Sequence, residues 1–118
     1  MGMTKVSLTI TNPTSPKRKI VHDFLVDSGA FYTVIPLNIV KKLGLRPSFS
    51  REFTLADGRK IERLIGDAKI RFGNEEISTP VVLGKRGDGA LFGALTLESF
   101  GLALDPFQRK IYKAKMML

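Results

Sequence analysis

The residues best suited to chemistry stand together in "FLVDSGAFYTVIP", residues 24–36. Asp27 sits among Phe24, Leu25, Val26, Ala30, Phe31, Val34 and Ile35. An ionised carboxylate in so apolar a run is costly to bury unless it is paired or hydrogen-bonded. Gly29 lets the backbone fold tightly and bring its N–H toward the carboxylate. Ser28 offers a hydroxyl that can bond to neighbouring backbone and stiffen the loop. Apolar flanks exclude water and strengthen the electrostatics between them. Asp27-Ser28-Gly29-Ala30 is therefore a fitting mount for a catalytic acid, Asp27, with its three neighbours as loop support. A structural Asx-turn between two strands would have the same composition. The tripeptide also arises by chance in roughly one in twenty chains of this size, so its setting has to decide.

Other combinations fail on type or spacing. "GKRGDGALFG" lacks the Gly-Lys-Ser/Thr of a phosphate-binding loop, and Gly87, Gly89 and Gly93 miss the dinucleotide-binding spacing by one residue. Arg86-Gly87-Asp88 reads as a turn. Ser28 and His22 would lie roughly 20 Å apart on one extended strand, too far for a nucleophile and its base. The chain has no cysteine and one histidine, His22. That excludes disulfides, thiolate catalysis and Cys- or His-rich metal sites. No metal or cofactor is expected.

The elements that would position Asp27 read as follows. Met3 to Thr11 alternates Val6, Leu8 and Ile10 with Lys5, Ser7 and Thr9, a strand with one buried face. "NPTSPK" (12–17) is a turn, and Arg18 to Val26 is a second strand that runs into Asp27. Ala30 to Ile35 is strand-like. Pro36 starts a short helix, Leu37 to Leu43, that stops at Gly44. Arg51 to Leu55 and Lys60 to Phe72 form a hairpin around "ADGR" (56–59). Ile77 to Leu83 is another strand, followed by the glycine-rich "GKRGDG". Ala94 to Phe100 is briefly helical up to Gly101. Leu102 to Leu104 and Lys110 to Lys115 flank the "DPFQR" turn as final strands. Many short strands with two short helices make a mostly β domain.

The 118 residues suit one domain, 1–118, with one core, and 43% hydrophobic residues give a globular composition. No stretch is long enough to span a bilayer. No basic and then apolar leader opens the chain, and Val6 replaces the Ser or Thr that myristoylation at Gly2 requires. With cysteine absent, a cytoplasmic location is expected. Nineteen Lys and Arg against eleven Asp and Glu give a net charge of +8. The cations are scattered and no aromatic RNA-binding signature accompanies them, so they read as a solvated surface and no nucleic-acid partner is expected.

The whole arrangement resembles the retropepsin-like aspartic proteases, the single-domain group of retroviral proteases and their prokaryotic relatives. "FLVDSGAFYTVIP" is similar to that family's apolar strand, Asp-Thr/Ser-Gly-Ala and second apolar strand. "FTLADGRKIERLIGDAKI" (53–70) stands where the family has its flap hairpin. "ALFGALTLESFGLALDP" supplies the apolar-apolar-Gly stretch, Leu91-Phe92-Gly93, before a short helix. Three elements in order carry more weight than the first alone. Thr96 replaces the Asp or Asn often found after that glycine, and the single glycine near the hairpin tip suggests a prokaryotic branch.

The resemblance implies a closed β-barrel with a flap whose tip, Ala56, Asp57, Gly58 and Arg59, covers substrate. It also implies hydrolysis of peptide bonds in peptides or unfolded proteins. That chemistry needs two carboxyls sharing a proton. The chain has one Asp-Ser/Thr-Gly, so a homodimer is expected, with Asp27 and its symmetry mate on the two-fold axis. In this family the chain termini often interleave into an intersubunit sheet, and Val6–Ile10 and Ile111–Met117 are apolar enough for that role; the alternative is that they pair within one subunit and the C-terminal tail frays. The competing expectation is a dimerisation or peptide-binding module of the same fold with little or no activity.

Overall fold

The computed structural model describes residues 4–118. The Met3 end of the expected first strand and the Met1-Gly2 pair lie outside them. Nine strands and two helices follow in the order β1 (Lys5–Asn12), β2 (Ser15–Val26), β3 (Val34–Ile35), α1 (Leu37–Leu43), β4 (Pro47–Thr54), β5 (Lys60–Phe72), β6 (Glu75–Leu83), β7 (Leu91–Phe92), α2 (Ala94–Ser99), β8 (Leu102–Asp105) and β9 (Lys110–Lys113).

Seven strands form one sheet in the order β1-β2-β7-β3-β6-β5-β4. β5 is long enough to use one edge twice. Its first half pairs β4, and Lys69 to Arg71 pair Thr9 to Thr11 of β1. That second pairing joins the sheet to its own beginning and closes it into a barrel, which leaves β4 outside the ring as an edge strand. Closure removes the open edges that β1 and β5 would otherwise present.

The alternation read in the sequence sets the inner face. Leu8 and Ile10 of β1, Phe24 of β2, Ile65 and Ile70 of β5, Val81 of β6 and Phe92 of β7 are fully buried. Phe72, Phe92 and Phe100 meet edge to face, with centroids 6.0–6.2 Å apart. Each buried ring of this size adds roughly 2–3 kcal/mol by leaving water. Helix α1 begins after Pro36, buries Ile39 and Leu43, and ends at Gly44 in the left-handed region at φ 65°.

Several boundaries differ from the sequence reading: β4 begins at Pro47 and not at Arg51, β6 at Glu75 and not at Ile77, and Leu91–Phe92 pairs as a strand that the sequence reading does not mark. The first turn is tighter than "NPTSPK" suggested, because the Asn12 carboxamide oxygen accepts from both the Thr14 N–H and hydroxyl and β2 restarts at Ser15. Only Val34 and Ile35 of the expected strand 30–35 pair as a strand; residues 27–33 form an irregular loop whose backbone groups bond to β6, to β7, to the start of α2 and, between Asp27 and Ala30, to one another. β9 stops at Lys113, and the Ala114 N–H turns back to the Gly101 carbonyl at 2.7 Å. Val6–Ile10, a candidate for an intersubunit sheet, pairs within the protomer, along its whole length with β2 and at Thr9 and Ile10 with Arg71 and Ile70. Leu8 and Ile10 are fully buried in this protomer's own core, which holds that segment in place.

Candidate active site

Asp27 lies one residue beyond β2, where β2 and β7 run parallel with Leu25 opposite Leu91 and Val26 opposite Phe92. The Asp27 N–H continues that pairing by donating to the Phe92 carbonyl at 3.0 Å. This fixes the Cα from which the carboxylate projects. The Gly29 N–H donates to Asp27 Oδ1 at 2.9 Å, and the Ala30 N–H donates to the Asp27 carbonyl at 3.1 Å. The carboxylate is therefore held by its own turn, as the Asp-Ser-Gly spacing suggested, and it is half-buried. Ser28 is exposed and its hydroxyl has no partner among the described residues, so it does not supply the brace expected of it.

The brace comes from two threonines. Thr33 and Thr96 are both fully buried. The Thr33 hydroxyl accepts from the Gly93 N–H at 3.0 Å and donates to the Thr96 hydroxyl at 2.6 Å. The Ala94 and Leu95 N–H groups then donate to the Ala30 and Phe31 carbonyls at 2.7 and 2.8 Å. The start of α2 is thereby fastened to the Asp27 loop. Gly93 is needed for closeness: a Cβ there would lie 2.4 Å from the carbonyl carbon and oxygen of Tyr32. Phe92 and Gly93 thus support the loop through their backbone, Leu91 pairs beside it with Leu25 and Val34, and the Thr96 that departs from the family pattern takes part in a hydrogen bond of its own.

A cleft of about 420 Å³ opens beside this loop. Its walls are Gly29 to Tyr32 and Val34, the hairpin residues Phe53 to Leu55, Ile61 and Arg63, and Val82, Asp88, Gly89 and Leu91. It is mostly apolar, and Phe31 and Tyr32 meet edge to face across 4.9 Å. Of the residues singled out in the sequence, Gly29, Ala30 and Leu91 line it. Ala56, Asp57, Gly58 and Arg59 are exposed at the tip of the β4–β5 hairpin, beyond the cleft walls. Gly58 has φ 87°, as its place in the turn requires. Hydrogen bonds from the Arg59 N–H at 3.0 Å and from its guanidinium at 2.6 Å lower the pKa of the Asp57 carboxyl.

Sequence reading missed Arg63 and Asp88. Both lie in the cleft wall, with Arg63 Nε and Nη2 donating to Asp88 Oδ2 and Oδ1 at 2.6 and 2.9 Å. Those bonds hold the Asp88 carboxyl below its ordinary value, against the opposing effect of burial. In the sequence Asp88 reads only as the end of a turn. The pairing is non-local, and the only trace of it in the chain is an acid and a base of opposite sign. His22 is a half-buried strand residue, edge-on to Phe24 at 5.8 Å, and stands apart from the cleft. Among the described residues no cluster of acidic or histidine side chains could hold a metal, and no helix is long and apolar enough to cross a membrane.

This geometry agrees with what the chain is similar to. No curated protein matches it. Among solved structures, the EIAV protease complexed with the inhibitor HBY-793 superposes with a TM-score of 0.67 over 99% of this chain and 94% of that one, at 16% identity. That likeness shows a shared fold, the retroviral protease barrel. A sequence model described as aspartyl protease matches residues 7–94, a span that holds the Asp27 loop, the hairpin and the Gly93 turn. The chain belongs to the aspartyl protease family and has the retroviral protease fold.

Proposed function

We propose that the protein is a homodimeric aspartic endopeptidase that cleaves peptides or unfolded proteins, with Asp27 of each subunit as the catalytic carboxyl. The observation that carries this reading is the shortage of carboxylates at the cleft. Asp27 is mounted beside it with one oxygen held by a backbone N–H. The one carboxylate in the cleft wall, Asp88, is committed to Arg63 by two hydrogen bonds and is kept ionised, so it is a poor partner for sharing a proton with Asp27. A second Asp27, brought by a two-fold axis, supplies what one chain lacks.

Two facing carboxyls repel as ions, so one holds a proton that the other has lost. The ionised carboxyl takes a proton from water as its oxygen adds to the peptide carbonyl carbon. The protonated one donates to the carbonyl oxygen. Collapse of the resulting diol breaks the C–N bond, and the amine leaves with a proton returned by the pair. No metal is required. The β4–β5 hairpin acts as the flap: Ala56, Asp57, Gly58 and Arg59 close over bound peptide and exclude water. The exposed Met116 and Met117, next to β9, fit a place at the subunit interface. The lone glycine at the hairpin tip fits a prokaryotic branch, and the lack of cysteine fits a cytoplasmic setting.

The test is incubation with an unfolded protein from acidic to neutral pH, with and without pepstatin, beside Asp27→Asn. Pepstatin-sensitive cleavage that disappears in the variant is the expected result. A dimer that binds peptide and cleaves none would leave the fold with a binding role only.

A further inference from the structure

The attachment of the hairpin to the rest of the molecule carries an inference that rests on the protease reading and extends it. Arg51 of β4 and Arg63 of β5 are directly opposite in the antiparallel register, so their side chains leave the same face. Like charges in that position destabilise a strand pair unless each finds its own partner. These two part company. Arg51 Nε donates to the Tyr32 hydroxyl at 2.9 Å, and its guanidinium lies over Phe49 at 4.9 Å. Arg63 turns to Asp88. Tyr32 and Asp88 belong to two different walls of the cleft, and the hairpin root is fastened to both.

The two fastenings are unequal. Arg51 and the Tyr32 hydroxyl form one exposed bond. Arg63 and Asp88 form a fork of two, with side chains only 17% and 22% exposed. A bidentate, partly buried guanidinium–carboxylate pair is the geometry in which an ion pair contributes most. Asp88 Oδ2 also accepts the Lys85 N–H at 2.8 Å, so the same carboxylate closes the loop that leads from β6 to β7. Arg63 Nη1 donates to the Glu62 carbonyl at 3.0 Å. Above this level Phe53 meets Tyr32 edge to face at 6.0 Å, and beyond it the tip is exposed from Ala56 to Lys60.

We propose that Arg63 and Asp88 are positioning residues: a clasp that holds the hairpin root to the loop 84–89, fixes the width of the cleft, and confines closing motion to the segment beyond Phe53 and Ile61. Neither acts on the scissile bond. They set where Phe53, Ile61, Gly89 and Leu91 stand when peptide arrives.

The test combines hydrogen exchange with steady-state kinetics on Asp88→Asn, Arg63→Met, Arg63→Lys and the charge-swapped Arg63→Asp/Asp88→Arg. In the parent, exchange is expected to be fast at 55–60 and slow at 61–66. Losing either partner is expected to speed exchange at 61–66 by roughly tenfold and to raise KM by a similar factor, with kcat changed far less. Arg63→Lys keeps the charge and loses the fork, so it behaves as a partial loss. The swapped pair restores protection and KM together. Unchanged exchange at 61–66 in Asp88→Asn overturns the clasp. So does a loss of protection spread evenly over β1 and β2, which means general destabilisation. A parent that hydrolyses nothing refutes the protease reading, and the exchange pattern still decides for or against the clasp.

Discussion

At the scale of single residues, the chemistry reduces to one carboxyl and the backbone that aims it. Asp27→Asn removes the acid and the base of a symmetric pair at once. Hydrolysis should fall by at least about a hundredfold, the low end of what general acid–base catalysis contributes. The fold should survive, because Asn can still accept the Gly29 N–H. A purified variant with full activity would place the catalyst elsewhere. Gly93 offers a test that is purely steric. Its φ of −88° suits any residue, and the obstacle is the Tyr32 carbonyl 2.4 Å from where a Cβ would stand. Gly93→Ala should destabilise the protein by roughly 1–3 kcal/mol through forced backbone shifts. It should also displace the Asp27 loop, so activity falls further than stability alone explains. Urea unfolding beside a rate measurement checks both.

At the scale of elements, the hairpin combines a tip that depends on glycine with a fastened root. Nothing lies within 4 Å of a Cβ built on Gly58, so Gly58→Val meets no steric obstacle there; its cost is the positive φ of 87°. The expected penalty is roughly 1–2 kcal/mol, confined to the turn, seen as faster local exchange at 55–60 with the barrel melting little changed. The root responds to pH through Asp88. The Arg63 hydrogen bonds depress its pKa, with the Lys85 N–H and charge assisting and burial opposing. A carboxyl depressed on folding stabilises the fold above its unfolded value of about 3.9, and that contribution is lost as pH falls through the folded value. The stability difference between the parent and Asp88→Asn should therefore be full near about pH 6 and shrink below about pH 4. Denaturant midpoints across that range decide it.

At the scale of the whole molecule, the expectation is a two-fold dimer with one shared site. If subunits exchange, an equal mixture of parent and Asp27→Asn chains should retain about a quarter of the parent dimers, and activity should fall with the square of the parent fraction. A linear fall would mean that each chain works alone. The rate should also decline as pH rises above the mildly acidic range, since loss of the shared proton removes the general acid. The net charge of +8 favours the ionised pair and pulls that decline toward lower pH. Arg59, the cation nearest the flap tip, is already paired to Asp57 and 74% exposed, so salt screens what remains. Mutual repulsion of the carboxyls should prevail. A rate that climbs into alkaline pH at two ionic strengths would exclude a shared-proton pair.

What the sequence determined by itself was whatever depends on neighbours along the chain. The alternation of Val6, Leu8 and Ile10, the Asp57-Gly58 turn, the helix between Pro36 and Gly44, and the Asp-Ser-Gly turn that places an N–H on Asp27 are all local, and local backbone preferences suffice to write them. The tertiary structure decided what depends on residues far apart. Thr33 and Thr96 are 63 positions apart, and a threonine in an apolar stretch gives no sign of which hydroxyl it will face. Arg63 and Asp88 are 25 apart, hidden among 19 cations and 11 acids, and only the sheet register brings them together. Closure of the barrel at Thr9–Thr11 against Lys69–Arg71 is of the same kind. It moved Val6–Ile10 from an expected subunit contact into the core, because an alternating strand carries an apolar face without naming the strand that will cover it.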